Sequence, residues 1–120
     1  MRQSMKFVIA LIKPFKLDEV LDALKRAGVQ EFTVTEAKAY GREKGRTEFY
    51  RGAEYTPDFV SMFKLEAAMP GDQVEKLTET IAQAAKPGDF GGGNIFVLDL
   101  NDAVSIRAGG PVEIAPRKAA

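Results

Sequence analysis

Apolar and polar positions along the chain follow two periods, and the switches between them mark its elements. Residues 7–12, Phe-Val-Ile-Ala-Leu-Ile, are apolar at every position, the pattern of a strand covered on both faces. Lys13, Pro14 and Phe15 end it. Leu17, Val20, Leu21, Leu24 and Ala27 then recur at helical spacing. Asp18 and Glu19 lie in the first turn of that helix and Lys25 and Arg26 in the last, so both ends complement the helix dipole, and Gly28 supplies the stop.

Residues 31–40 read as a second strand, with Phe32 and Val34 on one face and Thr33 and Thr35 on the other. Residues 41–56 show no period at all; a loop of about sixteen residues is long for a compact domain and is commonly functional. A strand resumes over residues 59–68, with Phe59, Phe63, Leu65 and Ala67 facing the core. The second helix carries Val74, Leu77, Ile81 and Ala84 as its stripe. Asp72 is placed to cap it, with Glu75 three positions later completing a capping box, and Pro87-Gly88 ends it. Residues 94–100 form the last strand, and from about residue 108 to 120 the composition predicts a loosely held tail.

The order is β-α-β-(long loop)-β-α-β. It predicts an α+β, ferredoxin-like sandwich, an antiparallel sheet with both helices on one face. The 120 residues suit one domain spanning 1–120. A core of that size is thin, so association into an oligomer would help it.

Composition narrows the chemistry. Seventeen basic and seventeen acidic residues cancel, leaving no field to draw the chain onto nucleic acid or an anionic membrane. Cysteine and histidine are absent, which removes disulfides, thiolate nucleophiles, the usual zinc ligands and the usual general base. Triads of the Ser-His-Asp or Cys-His kind are excluded within this chain. The longest apolar run is too short to cross a bilayer, and no cleavage site follows it, so a cytoplasmic protein is expected.

Two segments stand out as candidate chemistry. Tyr50-Arg51-Gly52-Ala53-Glu54-Tyr55 sets aromatic area and a planar cation in the polar loop, the residue types that anchor protein interfaces. Taken alone, it reads equally well as a solvated excursion. Gly88-Asp89-Phe90-Gly91-Gly92-Gly93 can turn backbone N–H groups toward an anion. Its helix-loop-strand order is opposite to that of a Walker or Rossmann loop, and a plain turn explains it as well.

The strings Ile12-Lys13-Pro14-Phe15-Lys16-Leu17-Asp18-Glu19-Val20, Thr33-Val34-Thr35-Glu36, Gly41-Arg42, Lys44-Gly45 and Thr47 to Tyr55 closely resemble PII nitrogen-regulatory proteins of the GlnB/GlnK type. Asp72-Gln73-Val74-Glu75 and Gly93-Asn94-Ile95-Phe96-Val97 extend the likeness, which covers residues 5–107. The resemblance implies a homotrimer that is not an enzyme. It binds ATP or ADP in clefts between subunits, in many members with Mg and 2-oxoglutarate. It docks a target protein, such as an ammonium transporter or a metabolic enzyme, through a T-loop, here residues 41–57. Matched residue by residue, Thr33, Gly41, Arg42, Glu43, Glu66, Gly91, Gly92, Gly93, Asn94 and Arg107 fall on nucleotide-binding positions, with Arg107 donated across the interface. Glu43 is also the position that would approach the nucleotide's Mg. Tyr50, Arg51, Gly52, Ala53, Glu54 and Tyr55 fall on the partner-binding loop, and the tyrosine matching Tyr55 can be uridylylated in proteobacterial members.

Departures from the family pattern gather at the anionic end of that site. Glu43 replaces a glutamine, Met62 and Asn94 replace lysines, Ser105 an arginine, Gly92 an aspartate and Pro87 a threonine. Three lost cations and one gained carboxylate, offset by one lost carboxylate, leave the cleft about three charges more negative than usual. Charge-assisted contacts contribute about 1.5–3 kcal/mol each, so losing two weakens ATP binding by ~100-fold or more. The alternative to conventional nitrogen sensing is therefore a diverged sensor of ADP, AMP or another small metabolite, with its 2-oxoglutarate response weakened or lost. Glu43 ligating Mg and compensating cations such as Arg42, Lys44 or Lys118 would preserve the conventional response. Two other classes on this fold are a small acylphosphatase-like hydrolase and a purely structural CutA-like trimer. The first would need an arginine and an asparagine holding phosphate, and Lys13-Pro14-Phe15 does not supply them. The second would need neither a ligand nor a long loop.

Overall fold

Strand β1 (Met5–Ile12) is the central constraint of the molecule. In the computed structural model, which describes residues 4–40, 48–50, 53–55, 59–86, 88 and 93–112, β1 is hydrogen-bonded on both sides. The other elements are α1 (Leu17–Arg26), β2 (Thr33–Tyr40), β3 (Glu48–Tyr50), β4 (Ala53–Tyr55), β5 (Phe59–Pro70), α2 (Val74–Ala85) and β6 (Gly93–Asp99). β2, β5, β1 and β6 form one sheet in that order, and every neighbouring pair is antiparallel. This is the expected ferredoxin-like arrangement. Each βαβ unit leaves a gap of one strand, which the other unit fills.

Register settles which residues meet the helices. Ala10 lies opposite Leu65, Ile12 opposite Phe63 and Val8 opposite Ala67, so these share a face. Val20 and Leu24 of α1 and Leu77, Ile81 and Ala85 of α2 close over them as one buried cluster. Thr33 and Thr35 lie on the other face, opposite Glu66 and Lys64, as the alternation of β2 predicts. Phe59 has the parity of the core residues, but it is exposed and pairs with the ring of Tyr40 at 5.3 Å, because the helices do not reach that end of the sheet.

The helix ends are set by backbone geometry. Gly28 (φ 85°) closes α1, its N–H bonding the Lys25 carbonyl while the N–H of Val29 reaches back to the Leu24 carbonyl. These are the two bonds of a Schellman stop, which needs a left-handed residue at that position. Asp72 is not the cap of α2. A 3-10 turn over Gly71–Gln73 precedes the helix and takes Asp72 into helical geometry, so its carboxylate makes no capping bond. Asp72 and Glu75 still place negative charge at the N-terminal turns.

Three further departures from the sequence pattern concern the long loop, the glycine run and the tail. The loop contains a short ribbon, Glu48 opposite Tyr55 and Tyr50 opposite Ala53; three-residue strands are too short to display a period. Gly93 belongs to β6, at φ 125°, where a Cβ would stand 2.1 Å from the Leu11 carbonyl oxygen. Close approach of two strand backbones therefore demands glycine there, whatever else the run does. Residues 108–112, the start of the stretch expected to hang loosely, form the returning limb of a small hairpin over residues 103–112. Val104 bridges Pro111, the N–H of Ser105 bonds Gly110, and that of Val112 bonds Ala103.

Two substitutions test this account. Gly93→Ala is expected to destabilise by at least about 1–3 kcal/mol, through strained φ and the clash with Leu11. Ile81→Ala, emptying a fully packed position between α2 and β1, is expected to cost about 2–5 kcal/mol. Urea denaturation followed by circular dichroism measures both; an unchanged midpoint for Gly93→Ala would show that the strand contact is not as close as described.

Candidate functional site

The strands of the sheet differ in length, and the difference makes a cleft. β5 runs twelve residues and β2 eight. Pairing of β2 begins at Thr33 opposite Glu66, so residues 67–70 of β5 are bonded to β1 and have no β2 partner on their other edge. The chain between Gly28 and Phe32 runs past this unpartnered edge, and a cavity of ≈ 870 Å³ opens between them. Its far wall is the first turn of α2 with the 3-10 turn before it, including Asp72, Lys76 and Leu77, and Val112 of the C-terminal hairpin lines it too. Small side chains at Ala67 and Ala68 keep the space open.

Such an edge is chemically suited to a flat heteroaromatic ligand. Free strand N–H and C=O groups offer a donor and an acceptor a few ångströms apart, while Phe7, Val29 and Met69 give apolar surface for a ring face. The charges around it are unbalanced. Among the described residues, Glu31, Glu66 and Asp72 line the cleft with the ammonium of Lys76. The Glu66 carboxylate lies 3.6 Å from the Lys64 ammonium, on the sheet face turned away from the helices. Both side chains are partly exposed, so the pair orients Glu66 and adds little stability.

Of the residues matched to nucleotide binding, the structure brings two together: Thr33 and Glu66 are cross-strand partners and both line the cleft. Asn94 lies on β6 opposite Leu11, with β1 and β5 between it and β2. Three strand spacings of ~4.8 Å put it at least about 14 Å from Thr33. Gly93 starts that same strand. Arg107 sits exposed at the tip of the hairpin whose other limb delivers Val112 to the cleft. Ser105 is half-buried in the same hairpin, and its hydroxyl accepts a bond from the N–H of Ala108. Met62 is buried on the sheet face away from the helices, opposite Ala37. Gly41, Arg42, Glu43, Arg51, Gly52, Pro87, Gly91 and Gly92 lie outside the described residues. Tyr50, Ala53, Glu54 and Tyr55 are described through their strand pairing in β3 and β4.

Sequence reasoning missed Glu31, Asp72 in a wall position, Lys76 and Val112. Glu31, Lys76 and Val112 sit in no motif, and Asp72 reads only as a helix cap and as part of a family string. The cleft arises because β2 begins only at Thr33, opposite Glu66, while β5 continues to Pro70, and that mismatch depends on pairing that only the fold reveals.

Comparison with known proteins agrees with this geometry. The family model for nitrogen regulatory protein P-II matches residues 5–110. Nitrogen regulatory protein P-II of Rhizobium etli is 52% identical over 105 residues, which is 88% of this chain and 94% of that protein. Nitrogen regulatory protein P-II 1 of Escherichia coli K12 is 49% identical over the same length and coverage. Among solved structures, Arabidopsis thaliana PII bound to citrate superposes with a TM-score of 0.71 at 29% identity, covering 92% of this chain and 91% of that one. With a family match across nearly its whole length and close relatives at half identity, the chain belongs to the PII family of nitrogen regulatory proteins.

Proposed function

We propose that the protein is a cytoplasmic, trimeric PII-type signal transducer that binds adenine nucleotide between subunits and acts on a target protein through residues 41–57. The observation that carries this reading is the cleft beside the open edge of β5, with Thr33 and Glu66 on its wall. One chain holds only part of the matched site, since Gly93 and Asn94 stand across the sheet from Thr33. A second copy bringing its own Gly41, Arg42, Glu43 and residues 91–94 to the mouth of the cleft would complete it. Arg107, on the hairpin anchored beside the cleft, then supplies a guanidinium suited to bidentate phosphate contact.

Assembly also accounts for the uncovered sheet face. Phe7, Ile9 and Leu11 of β1 share it with Phe96 and Leu98 of β6, which are 50% and 47% exposed in one chain. An apolar strip of this kind is an association surface more often than a solvated one. The bound nucleotide favours one arrangement of the loop, and the loop selects the target. A transporter or a metabolic enzyme, by family default an ammonium channel, fits that role, and uridylylation at Tyr55 would obstruct docking by bulk and charge.

The second reading, a sensor of ADP or AMP with little response to 2-oxoglutarate, draws on the charges. The cleft carries three carboxylates and one ammonium, and the buried thioether of Met62 gives a dicarboxylate no cation to pair with. We favour it over conventional 2-oxoglutarate sensing.

Isothermal titration with ATP, ADP and AMP, each with and without Mg and 2-oxoglutarate, separates the two. ADP or AMP binding that 2-oxoglutarate leaves unchanged is expected; tightening of Mg-ATP by micromolar 2-oxoglutarate would restore the conventional sensor. Arg107→Ala is expected to weaken ADP by roughly 10-fold or more, as loss of one charge-assisted contact does. Light scattering after size exclusion is expected to give three times the mass of one chain, and a monomer with no nucleotide binding would sink the proposal.

A further inference from the structure

Glu66 lies on a boundary. It lines the cleft, and its side chain shares one face of β5 with Lys64, two positions earlier. The Lys64 ammonium stands 3.6 Å from the Glu66 carboxylate. Directly opposite Lys64 are Thr35 of β2 and Leu11 of β1, neither of them charged, so the carboxylate next along the strand is its ion-pair partner. The β5 residues that line the cavity are Glu66, Ala67, Ala68 and Met69, which places Lys64 beyond the end of the cleft. The lysine therefore draws the Glu66 carboxylate along the sheet face and away from the cavity.

The charges of the cleft give that direction a consequence. Glu31, Glu66 and Asp72 are carboxylates on a wall whose described lining includes the ammonium of Lys76. A carboxylate turned into the cavity opposes a phosphate there, whereas the same carboxylate beside an ammonium presents little net charge. In one chain the pair is partly exposed, 37% for Lys64 and 25% for Glu66, and water screens it. Leu11 and Ile9, opposite Lys64 and Glu66 on β1, belong to the apolar strip that a second copy would cover. Covering takes water from the pair. A Glu66 carboxylate without its lysine is then costly on the sheet face and turns to the cleft, where water and ligand reach it.

We propose that Lys64 is a positioning residue for the cleft: it holds the Glu66 carboxylate on the sheet face and so keeps one negative charge away from the phosphates of a bound nucleotide. The inference rests on the reading of the cleft as a nucleotide site. Lys64 acts through Glu66 and not by touching the ligand. It sets how strongly the site discriminates by phosphate charge, and leaves recognition of the base to the open edge of β5.

Ligands that share a base and differ in charge test it. Adenosine, AMP and ADP are titrated calorimetrically into the full-length protein, Lys64→Gln, Lys64→Arg, Glu66→Gln and the double variant Lys64→Gln/Glu66→Gln, at low and high salt. Lys64→Gln is expected to weaken ADP roughly 3–10-fold and AMP less, with adenosine changed by under about 2-fold. High salt should shrink the loss for ADP. Lys64→Arg keeps the cation and is expected to bind ADP within about 2-fold of the unaltered protein. In the Glu66→Gln background, the Lys64→Gln change is expected to move ADP by under about 2-fold, because the carboxylate it would release is gone. Equal ADP losses in both backgrounds would show that Lys64 acts on phosphate directly. Equal losses for adenosine and ADP would show a structural role. Either result overturns the proposal, as does unchanged ADP binding by Lys64→Gln, and all three leave the nucleotide reading standing. If the unaltered protein binds none of the three ligands, that reading fails and this inference with it.

Discussion

A strand paired on both edges has no freedom left in its backbone; β1 and β5 are both so paired, and β1 along nearly its whole length. Its hydrogen bonds go to β5 and β6, so its side chains must decide everything else. Val8, Ala10 and Ile12 on one face are where both helices land, and small Ala10 at the centre, fully buried, lets α1 and α2 sit close. The Leu11 carbonyl is also what admits only glycine at position 93, so the start of β6 is dictated by β1 as well. The cost of a side chain there is steric and cannot be relieved by a rotamer change, since both partners are backbone.

Because β1 takes the centre, β2 and β6 become the edges, and the functional geometry lies at those edges. On the β2 side, the late start of β2 at Thr33 leaves a length of β5 backbone without a β2 partner beside the cavity. On the β6 side, Gly93 and Asn94 stand too far from Thr33 and Glu66 to share one ligand within one chain. In the proposed assembly, residues matched on the two edges would meet across a subunit boundary. The apolar strip of Phe7, Ile9, Leu11, Phe96 and Leu98 is the surface whose burial would drive that meeting, each large side chain contributing on the order of 1.5–3 kcal/mol when fully covered.

Electrostatics sets the character of the cleft more than its shape does. A site gathered from Glu31, Glu66 and Asp72 with Lys76 is poorly disposed toward phosphate charge unless cations arrive from elsewhere, and more so the longer the polyphosphate. In the proposed site, such cations would come from Arg107 and from a second copy of the chain.

Much of this was legible in the sequence. Helical spacing located α1 and α2, α1 also by its acidic and basic ends, Gly28 announced the stop of α1, and strand alternation put Thr33 and Thr35 on the face away from the helices. Motif strings identified the family and named Thr33, Glu66, Gly93 and Asn94. These are local properties, carried by residues a few positions apart. Asp72 as a cap was misjudged because a preceding 3-10 turn changes the geometry without changing the capping-box pattern. Phe59 has core parity but no helix above it, and Gly93 is a glycine for the sake of Leu11, eighty-two positions earlier in the chain. The cleft belongs to the same class. Its walls come from residues near 30, 67, 73 and 112, and only pairing in space reveals that β5 outruns β2 and that the chain leaves Val112 at the cavity's rim. The sequence by itself determined the elements, the family and the polar inventory; the tertiary structure decided which of those residues meet, because contacts between distant segments depend on register and strand length and not on any neighbour in the chain.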